Sequence, residues 1–394
     1  MSKTIYLDYQ ATTPLAPEAR EAMEPFLDEK FGNPHSPHKM GREAAAAVDV
    51  ARDQIMDCLG AKNGNLYFTS GATEAANWAI KGTMAKAPKE RNRIVTIATE
   101  HACVLDTAEY CEKNGYELTV IGVSGEGLVD TMTMGEAMGD DVALVAAMLV
   151  NNEIGVINHI DQIGEMARKS GALMFCDAVQ GFGREEVPVD HCDMIAISAH
   201  KVHGPKGIGA LWCADGVKPA PLLHGGGQEG GLRSGTLSPA LCAGFGAAAK
   251  LMADNRFDDE AHVEKLWAIA VDKFGDHWDI NGSDCARYPG NLNLRLEGLD
   301  AGRLISETRE VAFSAGSACA SGSGRTSHVL KALGLSKKQS QSSIRLGFGR
   351  YTTEDELSEA LDKIIENAEH QLPERKVEGD EEHIEDEIQL EDDA

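Results

Sequence analysis

The sequence predicts an α/β fold: a mostly parallel sheet flanked by helices, joined to a smaller α+β domain. Three observations carry this. Between residues 65 and 213, short apolar runs of strand length alternate with helical stretches, the pattern of successive βα units. One run, Val142 to Val150, is apolar at every position, as in a strand buried on both faces. The runs also end in polar clusters, at Thr69–Glu74, Asn151–Glu153, Asp177–Gln180 and Ser198–Lys201. A parallel sheet gathers its ligand-binding residues at such strand exits.

From the amino terminus, Ile5–Asp8 reads as a short strand and Gln10–Pro17 as an irregular loop. Proline suits the first helical position, so a helix begins at Pro17. Residues 31–36 form a turn. The alanine-rich stretch Lys39–Leu59 is a helix that Gly60 stops. Strands follow at Asn65–Thr69, Arg93–Ala98, Glu117–Gly122, Val142–Val150, Ala172–Cys176, Met194–Ser198 and Ile208–Cys213. Helices lie between them at Thr73–Met84, Ala102–Lys113 and Asp161–Lys169. From Ser238 the pattern changes. Helices over 239–254 and 258–275 precede a strand at Asn291–Leu296 and a helix at Ala301–Glu310. The loop Ser314–Gly324, a short helix over 326–333, a strand at Ser343–Phe348 and a helix at Thr353–His370 complete the domain. The expected division is a segment 1–14 that packs on the smaller domain, a large domain 15–255, a small domain 256–372 and a tail 373–394. That tail is acidic and poor in apolar residues, the composition of a disordered segment.

Composition narrows the function. The chain has 394 residues, 42% of them hydrophobic, enough for two domains and a large core. A net charge of −26 argues against nucleic-acid binding and against anionic membranes. The amino terminus has no apolar signal core and no apolar run is long enough to span a bilayer. Nine cysteines without a C-x-x-C pair fit neither a disulfide framework nor a zinc site. The expectation is a reduced, cytoplasmic protein.

Several residues are candidates for chemistry. Lys201 leaves a buried strand among small and polar residues, where an amine can reach a cavity and form a Schiff base with a carbonyl or with pyridoxal phosphate. The loop before Thr73 either caps a helix or holds a phosphate on its free N–H groups. Asp177, at the end of an apolar strand, needs a cationic partner: a structural base or a protonated pyridine nitrogen. His101 either caps a helix or stacks on a flat ring and shuttles protons. His200 and His203 flank Lys201, but no further ligands with metal spacing accompany them, so no metal is expected. The glycine-rich stretch from His224 to Thr236 suits a loop that touches a bound anion or a second subunit. Cys319 sits where every neighbour from Ser314 to Gly324 is small, which predicts a mobile, unhindered thiol for nucleophilic or sulfur-carrying work. Arg345, in an otherwise apolar strand, is either a clamp for a carboxylate or an interdomain ion pair.

Taken together, these residues resemble the cysteine desulfurases of the NifS/IscS type, in the class V aminotransferase-like group of fold-type I pyridoxal-phosphate enzymes. The likeness rests on Tyr6-Leu7-Asp8, Ala11-Thr12-Thr13-Pro14, Phe31-Gly32-Asn33-Pro34, Thr69-Ser70-Gly71-Ala72-Thr73-Glu74, Glu100-His101 and Asn151-Asn152-Glu153. It continues through Asp177-Ala178-Val179-Gln180, Ser198-Ala199-His200-Lys201, Arg233-Ser234-Gly235-Thr236, Gly316-Ser317-Ala318-Cys319 and Ser343-Ile344-Arg345. The resemblance implies that Lys201 carries pyridoxal 5'-phosphate covalently. It places Asp177 on the ring nitrogen, Gln180 on the phenolic oxygen, His101 on the ring face and Asn152 near the ring substituents. Ala72, Thr73, Ser198 and His200 hold the phosphate, and Thr236 reaches the phosphate bound by a partner subunit, so a homodimer is implied. Arg345 and Asn33 hold the substrate carboxylate. In the implied reaction L-cysteine becomes L-alanine: Lys201 removes the α-proton, Cys319 takes the sulfur as a persulfide, and His101 exchanges protons. The sulfur then passes to an acceptor such as an iron–sulfur scaffold, on which Cys319 is a candidate transient cluster ligand. Selenocysteine lyase or another class V enzyme is the alternative chemistry, and a cofactor-bound scaffold without turnover the alternative class. The chain departs from the family in the extra glycines after Cys319 and in an acidic tail where a docking segment is expected. The tail reads either as a solvating appendage of a salt-adapted protein or as a docking arm for a basic partner.

Overall fold

The computed structural model describes residues 4–316 and 327–372. Strand β1 (Ile5–Tyr6) is followed by helices α1 (Pro17–Leu27) and α2 (Lys39–Leu59), then β2 (Asn65–Thr69) and α3 (Ala72–Met84). Next come β3 (Arg93–Ile97), α4 (Ala102–Lys113), β4 (Glu117–Ile121), α5 (Thr131–Glu136), β5 (Val142–Met148), α6 (Ile160–Ser170) and β6 (Leu173–Asp177). Strands β7 (Met194–Ser198) and β8 (Gly209–Cys213) complete a seven-stranded sheet in the order β2-β8-β7-β6-β5-β3-β4.

Strand β8 alone runs against the others. The link from β7 to β8 is too short for a helical crossover, so the chain must turn back on itself. The remaining pairs are parallel, and β5 is buried at every residue, as its unbroken apolar run requires. Its pairing stops at Met148, while Leu149 and Val150 leave the strand and Val150 bridges to Ile157. Helix α2 ends on Gly60, whose φ of 75° is the left-handed conformation that stops a helix.

The second half contains α7 (Pro239–Asp254), α8 (Arg256–Phe274), β9 (Asp279–Ile280), β10 (Asn291–Arg295), α9 (Ala301–Glu307), β11 (Val311–Ala312) and β12 (Ser314–Ala315). After residue 326 come α10 (His328–Ala332), α11 (Lys337–Gln341), β13 (Ser343–Gly347) and α12 (Glu354–Gln371). Strands β12, β13, β10 and β9 make an antiparallel sheet. Ser314 and Ala315 therefore open the predicted loop as strand, not coil. Helix α9 stops at Glu307, three residues before its predicted end, because residues 311–312 are drawn into parallel pairing with β1. Leu7 bonds to Ala312 and Gly347 bonds back to Leu7. The amino-terminal strand is thus stitched to elements some 300 residues away, and Asp8 emerges beside β13.

One apolar core continues beneath both sheets, from Val145 and Ile197 to Leu294, Leu346 and Ile364. No helix among the described residues is long and apolar enough to cross a membrane.

Candidate active site

The exits of β2, β3, β5, β6 and β7 open on one cavity of about 600 Å³. Parallel neighbours present their carboxyl ends to the same side, so residues distant in sequence converge there. Asp177 and Gln180 come from the end of β6, Ser198, His200 and Lys201 from β7, and Ala72 and Thr73 from the start of α3. His101 precedes α4, Asn152 follows β5, and Arg345 reaches in from β13 of the other sheet.

Lys201 is held by the backbone. Its Nζ donates to the carbonyls of Gln10 and, at 2.9 Å, of Ala11. Burial lowers its pKa to about 8, helped by Arg345 and Arg184 and opposed by Asp8 and Asp177. A neutral amine still has two hydrogens for those two carbonyls. Asp177 is buried, and its Oδ1 accepts the N–H of Val179 at 3.0 Å. Burial raises its pKa, while His101, the Val179 N–H and Lys201 pull it down. His101 caps α4: its Nδ1 accepts the N–H of Cys103 at 3.1 Å. Burial lowers its pKa, so the neutral ring carries its hydrogen on Nε2. The helix-capping reading of His101 is thus observed at Nδ1, and the ring itself lies at the cavity wall.

Helix α3 starts at Gly71 with no side chain capping its first N–H groups. Thr73 lies in that first turn, at the cavity wall. Burial, then Lys201 and Lys206, lowers His200 to about 4, so the imidazole is neutral there. Its Nδ1 lies 3.2 Å from Thr12 Oγ1, whereas His203 Nδ1 faces the Pro14 carbonyl at 3.0 Å. Gln180 donates to the Gln10 carbonyl at 3.0 Å and accepts from Arg184 at 3.1 Å.

Arg345 is 1% exposed and donates to Asp8 Oδ1 at 2.7 Å and to the Asn152 carbonyl at 2.9 Å. Its buried Nε has no partner. The arginine therefore pairs the amino-terminal segment with β13 and also lines the cavity.

Two of the expected residues do not line the cavity, and a third is not among the described residues. Asn33 is exposed and its Oδ1 caps its own turn at the N–H of His35, away from the residues that line the cavity. Thr236 is exposed and likewise outside the lining. Cys319 lies outside the described residues. Arg233, in the glycine-rich stretch, is paired with Glu74 through two hydrogen bonds of 2.7 and 3.0 Å.

Sequence reasoning missed the backbone of Gln10 to Thr12 and the half-buried thiol of Cys103, all of which line the cavity. A carbonyl acts whatever side chain it carries, so Gln10 and Ala11 gave no signal. The Ala11–Pro14 motif was the available hint.

The residues present suit pyridoxal phosphate. The uncapped N–H groups of α3 match a phosphate. The buried Asp177 matches a protonated ring nitrogen, and a lysine with a depressed pKa matches the carbonyl.

Residues 5–359 match the sequence model of the class-V aminotransferase family. The chain is 42% identical over 369 residues to a cysteine desulfurase IscS of Rickettsia bellii (strain OSU 85-389), covering 92% of this chain and 90% of that one. Among solved structures it is similar to a NifS-like protein, with a TM-score of 0.87 and 32% identity over 92% of this chain and 98% of that one. It is also similar to SspA in complex with cysteine, with a TM-score of 0.80 and 34% identity over 89% of this chain and all of that one, 100%.

Proposed function

Because the chain belongs to the class-V aminotransferase family, we propose that it is a pyridoxal-phosphate-dependent cysteine desulfurase that moves sulfur from L-cysteine to Cys319. The observation that carries this reading is the meeting of Lys201 and Asp177 in one cavity, beside the uncapped start of α3 and the buried Arg345. Relatives named for the same activity support it.

Lys201 holds the cofactor, with Asp177 at the ring nitrogen, Gln180 at the phenolic oxygen and Asn152 near the ring substituents. Ala72, Thr73, Ser198 and His200 hold the phosphate. Bound there, the cofactor supplies an electron sink for charge that develops at the substrate α-carbon. Arg345 binds the substrate carboxylate through the guanidinium that it presents at the cavity wall. Lys201, near pKa 8, takes the α-proton as a neutral amine and returns it as an ammonium held by the Gln10 and Ala11 carbonyls. His101 gives and takes a proton at Nε2, since Nδ1 is occupied by Cys103 N–H.

The Cys319 thiolate attacks the substrate sulfur. An S–S bond forms, the Cβ–S bond breaks with its electron pair left on Cβ, and a proton there completes L-alanine. A thiol and L-cysteine thus give a persulfide and L-alanine, with no outside oxidant. Thr236 acts across a homodimer, toward the phosphate in the partner's site. The persulfide then serves an acceptor such as an iron–sulfur scaffold, in the cytoplasm.

The test is incubation of the cofactor-loaded chain with L-cysteine. Equal amounts of alanine and persulfide, or of alanine and sulfide when a thiol reductant is present, are expected. Pyruvate, or products that need added glutamate, would identify a different class V reaction and defeat the proposal.

A further inference from the structure

We propose that Glu153 is a positioning residue whose side chain ties the start of α10, directly after the Cys319-bearing segment, to the rim of the cavity, an inference that rests on the desulfurase reading. Glu153 follows the cavity residue Asn152 and is buried. Its Oε2 accepts a hydrogen bond from Ser327 Oγ, on the first described residue after the segment. Its carbonyl accepts from Asn293 Nδ2 at 2.9 Å. The same Nδ2 donates to the carbonyl of Gly316, the last described residue before the segment, at 3.2 Å. Asn281 fixes that amide by donating to Asn293 Oδ1 at 2.8 Å.

Glu153 therefore meets the far end through its side chain, while its backbone carbonyl shares the Asn293 amide with the near end. Asn293 is fully buried and Ser327 nearly so, which leaves little water to replace a lost bond. A second tie comes one residue later, where His328 Nε2 donates to the Glu100 carbonyl at 2.8 Å, next to His101. Ser327 and His328 are thus bonded to the same two strand exits that bring Asn152 and His101 to the cavity. A thiol that must meet a bound sulfur depends on such fixed tethers, whereas proton removal by Lys201 does not.

Two rates in the cofactor-loaded full chain separate these steps. Exchange of the α-proton of L-alanine in D2O needs Lys201 and the cofactor but no thiol. Single-turnover persulfide formation on Cys319, read by mass spectrometry, needs both. Glu153→Ala is expected to slow persulfide formation by about 10- to 100-fold, the scale of a small misplacement of reacting groups, and to leave exchange within about twofold. Glu153→Gln keeps an acceptor for Ser327 and should return the rate to within about threefold of the parent. Ser327→Ala removes the same side-chain tie and should act like Glu153→Ala, which keeps the test open if that variant folds poorly. An equal fall in both rates, or a fall in neither, overturns the inference. A parent chain that exchanges alanine yet forms no persulfide would sink the desulfurase reading itself.

Discussion

The depressed pKa of Lys201 makes cofactor attachment depend on pH in a way an ordinary lysine cannot reproduce. The perturbation is a pH change on the cofactor-free chain. Only the neutral amine adds to a carbonyl. With a pKa of about 8, about 9% of Lys201 is neutral at pH 7, against about 0.04% for a lysine near 10.4. The sign follows from burial, which disfavours the charged form and is the largest cause. The rate of covalent attachment should rise about tenfold per pH unit below pH 7 and gain less than about twofold between pH 8.5 and 10. The assay is the absorbance change on mixing with pyridoxal phosphate, each rate divided by that of Nα-acetyl-lysine, which sees the same titrations of the cofactor. The ratio should fall above pH 8, since the reference amine is still gaining neutral form. A ratio that stays flat through pH 10 would show that Lys201 titrates normally and would refute the reasoning.

Other outcomes follow from the same contacts. Cys319→Ala should abolish persulfide formation while leaving the cofactor absorbance unchanged; continued desulfuration would remove Cys319 from the mechanism. Arg345→Met leaves the Asp8 carboxylate without its partner and should cost about 3 kcal/mol in urea denaturation, because breaking a buried pair strands a charge. The same change should raise KM for L-cysteine, and an unaltered KM would place the substrate carboxylate elsewhere. Thr73→Val should weaken cofactor retention about tenfold, as loss of one hydrogen bond to a charged phosphate predicts, measured by equilibrium dialysis.

Much of the site was legible because strand exits and helix starts are local features. Lys201, Asp177, His101 and Thr73 each stand where a short motif ends an apolar run, and a parallel sheet sends such ends to one side. Cys319 was singled out by neighbours too small to bury it. What only the tertiary structure decided is of another kind. That Arg345 faces Asp8 depends on β1 joining elements from the far end of the chain. That Lys201 rests on Gln10 and Ala11 depends on carbonyls, which no side chain advertises. That Glu153 meets Ser327 depends on the loop after β5 packing against the start of α10. Sequence by itself determined the α/β architecture and the chemical groups, because periodicity and residue type are carried locally. The partners that set their charge and position come from contacts between distant segments, and these exist only once the chain has packed.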